Sequence, residues 1–329
     1  MSQDHHSNTK KYDRGKPVAW RRWLQPLEGA MASNQTPLDR DKIQSELKTL
    51  WKGNNSSNRK QLLTCLQSNL KLAKAELRQL FYSKNDGAVY VGMHAWLIDV
   101  LLQLLYSETH KYCHGGGDLA VIAVGGYGRG EMAPYSDIDI MILMPKNVTA
   151  AHTKFIEFML YILWDLGLKI GHSTRSISES IAAARGDHTV LTSFLEMRHV
   201  AGDKMLWTRL SRSIQREIAK QKPLTFVEEK LSERDIRHKR FGDTRYVVEP
   251  NVKDGKGGLR DLHSLFWIAK YAYRANSIID IVKQGLLRES EARKFALAQR
   301  FLWTVRCHLH FYADRSEERL DFEAQMIIA

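Results

Sequence analysis

LAVIAVGGYGRGEMAPYSDIDIMIL, Leu119 to Leu143, is the stretch from which the rest of the chain is read. Its opening apolar run, Leu119 to Val124, is short and β-branched, as a buried strand is. A glycine turn, Gly125-Gly126-Tyr127-Gly128-Arg129-Gly130, follows. Ser136-Asp137-Ile138-Asp139 then leads into a second apolar run, Ile140 to Leu143. Residues two apart on a strand share a face, so Asp137 and Asp139 point the same way. Two carboxylates that close repel unless cations sit between them. Oxygen-only donors suit Mg²⁺, which takes a couple of carboxylates together with substrate phosphates. The glycine amides beside them can approach a phosphate. These residues point to metal-assisted phosphoryl or nucleotidyl transfer.

Two familiar glycine loops do not fit. A P-loop requires Lys followed by Ser or Thr after its last glycine, and none follows here. A dinucleotide fingerprint opens a helix, whereas Pro134 and the aspartate strand come at once.

The 329 residues are enough for two domains, and 43% hydrophobic content supports a packed core. No run of eighteen apolar residues and no N-terminal apolar segment occurs, so neither a membrane span nor a signal peptide is expected, and a cytoplasmic location is. Cys65, Cys113 and Cys307 are too few and too scattered for a disulfide framework or a zinc site. The net charge of +12 is compatible with nucleic acid or with anionic nucleotides. The basic residues are dispersed and no basic groove with stacking aromatics is visible, so nucleic acid is not the expected partner.

In chain order, residues 1–38 read as a disordered polar tail, including His5-His6. Helical periodicity covers 39–51, 58–81 and about 92–109, with 54–57 a linker; together these make a block of N-terminal helices over 39–110. A domain built on the acid strand is expected over 111–203, with a helix at 150–166 and a strand at 168–174 whose His172 either meets substrate or is a structural group. From 204 to 329 only helices are expected, near 204–220, 224–241, 259–274, 278–286 and 288–313. Asp203 reads as the N-cap of the first of these. A second distinctive string, VVEPNVKDGKGGLRDLHSLFWIA, runs from Val247 to Ala269. Its glycines Gly255, Gly257 and Gly258 enter a helix, which is either a natural anion site or a tight turn between domains. Lys253, Lys256 and Arg260 would bring positive charge to a triphosphate.

Gly125-Gly126 and the SDID tetrad resemble the nucleotidyltransferase superfamily of DNA polymerase beta. The longer string GGYGRGEMxPxSDIDIMIL, with GKGGLRDLH downstream, resembles the bifunctional PII uridylyltransferase/uridylyl-removing family over about residues 40–329. Two positions depart from the family's usual second string: Asn251 stands for an acid, and Lys256 for a proline. The resemblance implies an α+β fold, a small mixed polymerase-beta-like sheet flanked by helices and followed by an all-α domain. With the residues, it points to two Mg²⁺ ions held by Asp137 and Asp139 and to a triphosphate, UTP by the resemblance, bound through Gly125, Gly126, Arg129, Ser136, Lys253 and Arg260. Arg129 either adds charge there or anchors the turn through a carboxylate, and Glu131 reads as structural. Glu196, in an acidic-x-Arg pattern, is either the third carboxylate that takes the acceptor's proton or a helix glutamate paired with Arg198. The acceptor implied is a tyrosine of the trimeric PII signal protein. The family's HD-type and ACT domains find no counterpart in this sequence, so the transferase half alone is expected. The alternatives are a nucleotidyltransferase with another acceptor, glutamine synthetase or RNA, and an inactive truncated module that binds PII or nucleotide.

Overall fold

The computed structural model describes residues 26–31, 39–48, 55–113, 115–244 and 246–329. Three helices come first after a short one: α1 (Pro26–Met31), α2 (Arg40–Lys48), α3 (Asn55–Lys84) and α4 (Gly87–Cys113). Most of the expected tail lies outside the described residues, but its part at 26–31 is helical, with Leu27 buried against α4. Residues 55–57, expected as linker, open α3 instead. Gly87–Cys113 is the one described helix long and apolar enough to cross a membrane. In this fold 83% of its most apolar stretch is buried by protein. α4 is the pillar of the core: Leu97, Leu101 and Leu105 are fully buried, each contributing about 2 kcal/mol through lost apolar exposure.

The acid-bearing stretch forms β1 (Ala120–Ala123), a single helical turn α5 (Gly125–Gly128) and β2 (Ile138–Leu143). Next come α6 (Ala150–Asp165), β3 (Ile170–Arg175), α7 (Ile177–Gly186), α8 (His188–Leu195) and β4 (Arg198–Gly202). The sheet order is β3-β2-β1-β4. β1 runs antiparallel to both β2 and β4, and β2 parallel to β3, so the sheet is mixed as expected. β4 was not legible: its first two residues, Arg198 and His199, are polar and only half buried.

The period of two separates the sheet's faces. Val121, Ala123, Ile138, Ile140 and Ile142 pack with α3, α4 and α6. Ala120, Ile122, Met141 and Leu143 face a second core made with α8 and α9 (Lys204–Lys220). Asp137 and Asp139 continue the row of Met141 and Leu143 past the end of that second core.

The remaining helices are α10 (Pro223–Arg240), α11 (Leu259–Tyr273), α12 (Ile278–Lys283), α13 (Glu289–Ala313) and α14 (Phe322–Ile328). Asp203 caps α9 through the amides of Met205 and Leu206. Packing runs without a break across the expected boundaries near 110 and 203: one apolar cluster extends from Leu27 to Phe311. α13 supplies Trp303, Cys307 and Phe311 to it, and α11 lends Trp267 and Tyr271 to the second core. The helical half therefore closes over the acid end of the sheet.

Candidate active site

Where α10, α11 and α13 meet that end, a cleft of about 480 Å³ opens. Gly125, Gly126, Arg129, Ser136, Asp137, Asp139, Glu196, Lys253 and Arg260 all line it. These nine candidates are thus brought to one place, whereas Lys256 and His172, also considered from the sequence, do not line it.

Asp139 is the half-buried member of the acid pair, and Asp137, just before β2, is exposed. Burial raises the Asp139 pKa, the charge of Asp137 raises it further, and Lys253 and Arg129 oppose both. Glycines on two sides make room for it. A Cβ at Gly171 on β3 would sit 2.4 Å from its Oδ1, and one at Gly125 3.1 Å from its Oδ2. Gly125 also has φ +58, a left-handed value that favours glycine. Gly125 and Gly126 open α5, so their amides precede any intrahelical acceptor. Ser136 Oγ is buried without a hydrogen-bond partner beside the acids.

Arg129 does both things the sequence left open. Its Nε donates to Glu131 Oε2 at 2.9 Å, anchoring the turn, while its guanidinium lines the cleft. Glu131 is a junction between the two halves of the chain. His263 Nε2 of α11 lies 2.8 Å from Glu131 Oε2, and Gln299 Nε2 of α13 donates to Oε1 at 3.3 Å. Burial opposes the charge on Glu131, but Arg129 outweighs it, with His263 beside it, and the pKa is drawn down to about 2. Burial, with the positive charge of Arg129, pushes His263 down to about 4. At neutral pH the imidazole is therefore uncharged, and Arg129 is the cation that holds Glu131 ionised.

Glu196 lines the same cleft as the acid pair. It ends α8 two residues before β4, only 3% exposed, with both carboxylate oxygens sealed from solvent. Lys270 Nζ stands 3.5 Å from one oxygen and Arg129 Nε 3.6 Å from the other. Among the described residues no group of three or more His, Cys, Asp or Glu side chains is arranged to hold a metal. Glu196 thus faces two partly buried cations, Arg129 and Lys270, and holds Arg129 in position.

Of the two readings of the glycine string, its hydrogen bonds favour the tight turn. It does not present free amides to an anion. Leu259 and Arg260, the first amides of α11, donate to Val252 O at 3.0 Å and Lys253 O at 2.8 Å, and Asp261 N donates to Gly258 O at 3.1 Å. A Cβ at Gly258 would lie 2.9 Å from both Val252 O and Lys253 O, so the glycine serves this tight turn. Asn251 Oδ1 accepts from the amides of Lys253 and Asp254 and holds the loop's shape. Lys256 turns away from the cleft to Asp243. What the string does deliver is two side chains, Lys253 and Arg260. His172 shares its register position with Ile140, so it lies on the sheet face opposite the acids, 5.8 Å from the Trp164 ring.

Several cleft residues were not singled out in the sequence. Lys230, Arg237 and Arg306 add positive charge, and Thr189, Thr192 and Ser193 of α8 add hydroxyls. Lys230, only 2% exposed and tied to Glu233 at 2.9 Å, is held in place by its neighbours.

The buried histidines make acid lability an expected property. His94, whose Nδ1 is 3.1 Å from Met132 O, is pushed down to about 4 by burial and by Lys74, like His263. A folded-state pKa below the unfolded 6.5 means the native chain binds fewer protons, so stability is lost as pH falls from there toward 4. Denaturant midpoints should show a loss of about 2 kcal/mol per histidine between about pH 7.5 and about pH 5. His263→Gln should remove about half of that slope. An unchanged midpoint across the interval would contradict this account.

Comparison with known proteins agrees with the geometry. Residues 111–190 match the nucleotidyltransferase domain family, and residues 225–329 match the family described as GlnD PII-uridylyltransferase. Bifunctional uridylyltransferase/uridylyl-removing enzymes are similar over most of this chain. The one from Rhodospirillum rubrum is 48% identical over 282 residues, covering 84% of this chain and 30% of that protein. That from Azospirillum brasilense is 44% identical over 299 residues, 88% and 32%. That from Rhodopseudomonas palustris is 40% identical over 296 residues, 87% and 32%. The chain spans about a third of the length of these relatives. The chain thus resembles nucleotidyltransferase domains over residues 111–190 and the PII-uridylyltransferase family over residues 225–329, and is homologous to the N-terminal part of the bifunctional uridylyltransferase/uridylyl-removing enzymes.

Proposed function

We propose that the chain transfers UMP from UTP to a tyrosine of a PII signal protein and releases pyrophosphate. The observation that carries this reading is one cleft with an acid pair on one wall and Lys230, Arg237, Lys253, Arg260 and Arg306 on the other. Such a division suits a metal-bound triphosphate: the carboxylates face the metal and the cations face the phosphates.

The donor set fits Mg²⁺. It is oxygen-only, it is a pair that leaves coordination positions for phosphate oxygens, and Asp139 carries a charge that burial and Asp137 both disfavour. Bound by Asp137 and Asp139, Mg²⁺ would supply Lewis-acid stabilisation of charge on the reacting phosphate oxygens. The protein's own groups do the rest. Gly125 and Gly126 offer amides to the phosphates, and Ser136 Oγ offers a hydrogen bond. Arg129, aimed by Glu131 and Glu196, adds a fixed charge without reorganisation. Lys253 and Arg260 neutralise the leaving pyrophosphate from the helical side. The acceptor oxygen attacks the α-phosphorus, its proton passes to solvent or to a carboxylate, and the bond to the β-phosphate oxygen breaks.

The test is incubation of the chain with Mg²⁺, a purified PII protein and each of the four labelled nucleoside triphosphates. Label on PII from UTP alone, with equimolar pyrophosphate, is the expected result. Label on glutamine synthetase or on RNA in parallel reactions, with none on PII, would replace the acceptor. No label anywhere would remove the reading.

A further inference from the structure

We infer that the acceptor protein docks by adding an extended segment to the free edge of β3, which carries its hydroxyl side chain across Gly171 to the acid pair. This rests on the proposed transfer and names how its protein substrate is held.

β3 is an outer strand of the sheet. Lys169 O and Arg175 O accept from Ile138 and Met144 on the β2 side. The ladder alternates, so Ile170, His172 and Thr174 turn their backbone groups outwards. Those three amides and carbonyls have no partner among the described residues. The opposite edge differs: on β4 the Val200 carbonyl is already taken by Gln103 of α4. An exposed edge is a template for another strand, in which backbone bonds give affinity and alternate side chains give choice.

Three features commit this edge to the acceptor. First, β3 lies next to the acids, with Gly171 directly opposite Asp139 in register. The glycine leaves nothing between an added strand and the carboxylates on that face. Asp139 Oδ1 leans over Gly171, 2.4 Å from where a Cβ there would stand, so a backbone added one strand spacing, about 5 Å, beyond β3 brings a tyrosine hydroxyl to the carboxylate and leaves a serine hydroxyl short of it. Second, the other face of the edge is a ready shelf. Tyr161 and Trp164 of α6 stand 52% and 45% exposed beside His172. Residues flanking the reactive one would rest there, because alternate side chains on a strand point to opposite faces. Third, Lys169 and Arg175 bracket the strand and favour an acidic segment. The triphosphate does not compete for this position, since its cations lie on the helical wall of the cleft.

The bland reading is a short edge guarded by basic residues against aggregation. The two readings diverge on the outward amides. Hydrogen exchange on the full chain, with and without excess purified PII, reads them directly. Protection of Ile170, His172 and Thr174 on adding PII is expected, and unchanged exchange there overturns the inference. Thr174→Pro and His172→Pro block the edge without touching the β2 ladder, because those amides face outwards. Each should raise the KM for PII about tenfold or more, by loss of backbone bonds, with UTP affinity and Tm at parental values. Thr174→Ala keeps the backbone and should behave as the parent; a loss equal to that of Thr174→Pro would overturn the inference. If proline unsettles the fold, Lys169→Glu, an exposed change, should raise the KM for PII at low salt and lose its effect at high salt. A parent chain that labels PII while every edge variant matches it removes this docking mode and leaves the transferase reading. A parent chain that labels nothing removes both.

Discussion

Converting Asp137 and Asp139 together to Asn is expected to cut UMP transfer by at least about a thousandfold, or roughly 4 kcal/mol of transition-state stabilisation. The same double change should leave the fold intact and, without metal, should not lower stability. The sign follows from the site. Burial and the neighbouring Asp137 charge raise the Asp139 pKa above its unfolded value, so at neutral pH the ionised group opposes folding. Amides of the same shape remove that opposition. Single-turnover transfer with Mg²⁺, measured beside a thermal melt, separates the two effects. Retained transfer would mean the acids are not where the chemistry happens. Lost transfer with a collapsed melt would mean they serve the fold.

Glu131→Ala should be the most damaging single change to stability outside the apolar core, at about 3–5 kcal/mol. The reason is what it leaves behind. Arg129 would lose its 2.9 Å partner while buried, and His263 and Gln299 would lose the group to which both α11 and α13 are tied. Arg129 also lines the cleft, so UTP should bind more weakly to the fraction that still folds. Glu131→Gln keeps the volume and removes the charge. It should recover part of the packing but not the compensation of Arg129. Urea midpoints check both variants, and a loss below about 1 kcal/mol for Glu131→Ala would contradict the junction described above.

Much of the architecture was legible because it is local. The apolar period placed α9 at residues 204–220, the same bounds the structure has, and found α10, α11 and α13 within a residue or two. β1 and β2 were visible as short β-branched runs around the glycine turn. β4 was missed because RHVAG alternates weakly, and α1 because six residues make too short a pattern to read. The glycines at 255–258 carried the outward mark of an anion loop. Which acceptor an amide finds is a matter of where the chain comes back, and here Val252 and Lys253 return to take the helix's first donors.

The sequence by itself determined the acid pair and its common face, because a strand's period of two needs no partner to set it. It also determined that bare glycine backbone would stand beside that pair. Only the tertiary structure decided which charges oppose the acids. Lys253 and Arg260 were candidates along with Lys256, yet Lys256 bonds to Asp243 outside the cleft, and Lys230, Arg237 and Arg306 join in its place. The same is true of Glu196, which packing placed between Arg129 and Lys270. Side-chain direction along one element follows from local geometry, whereas the meeting of α10, α11 and α13 with the sheet follows from burying their apolar faces together, and that long-range packing leaves no periodic trace in the chain.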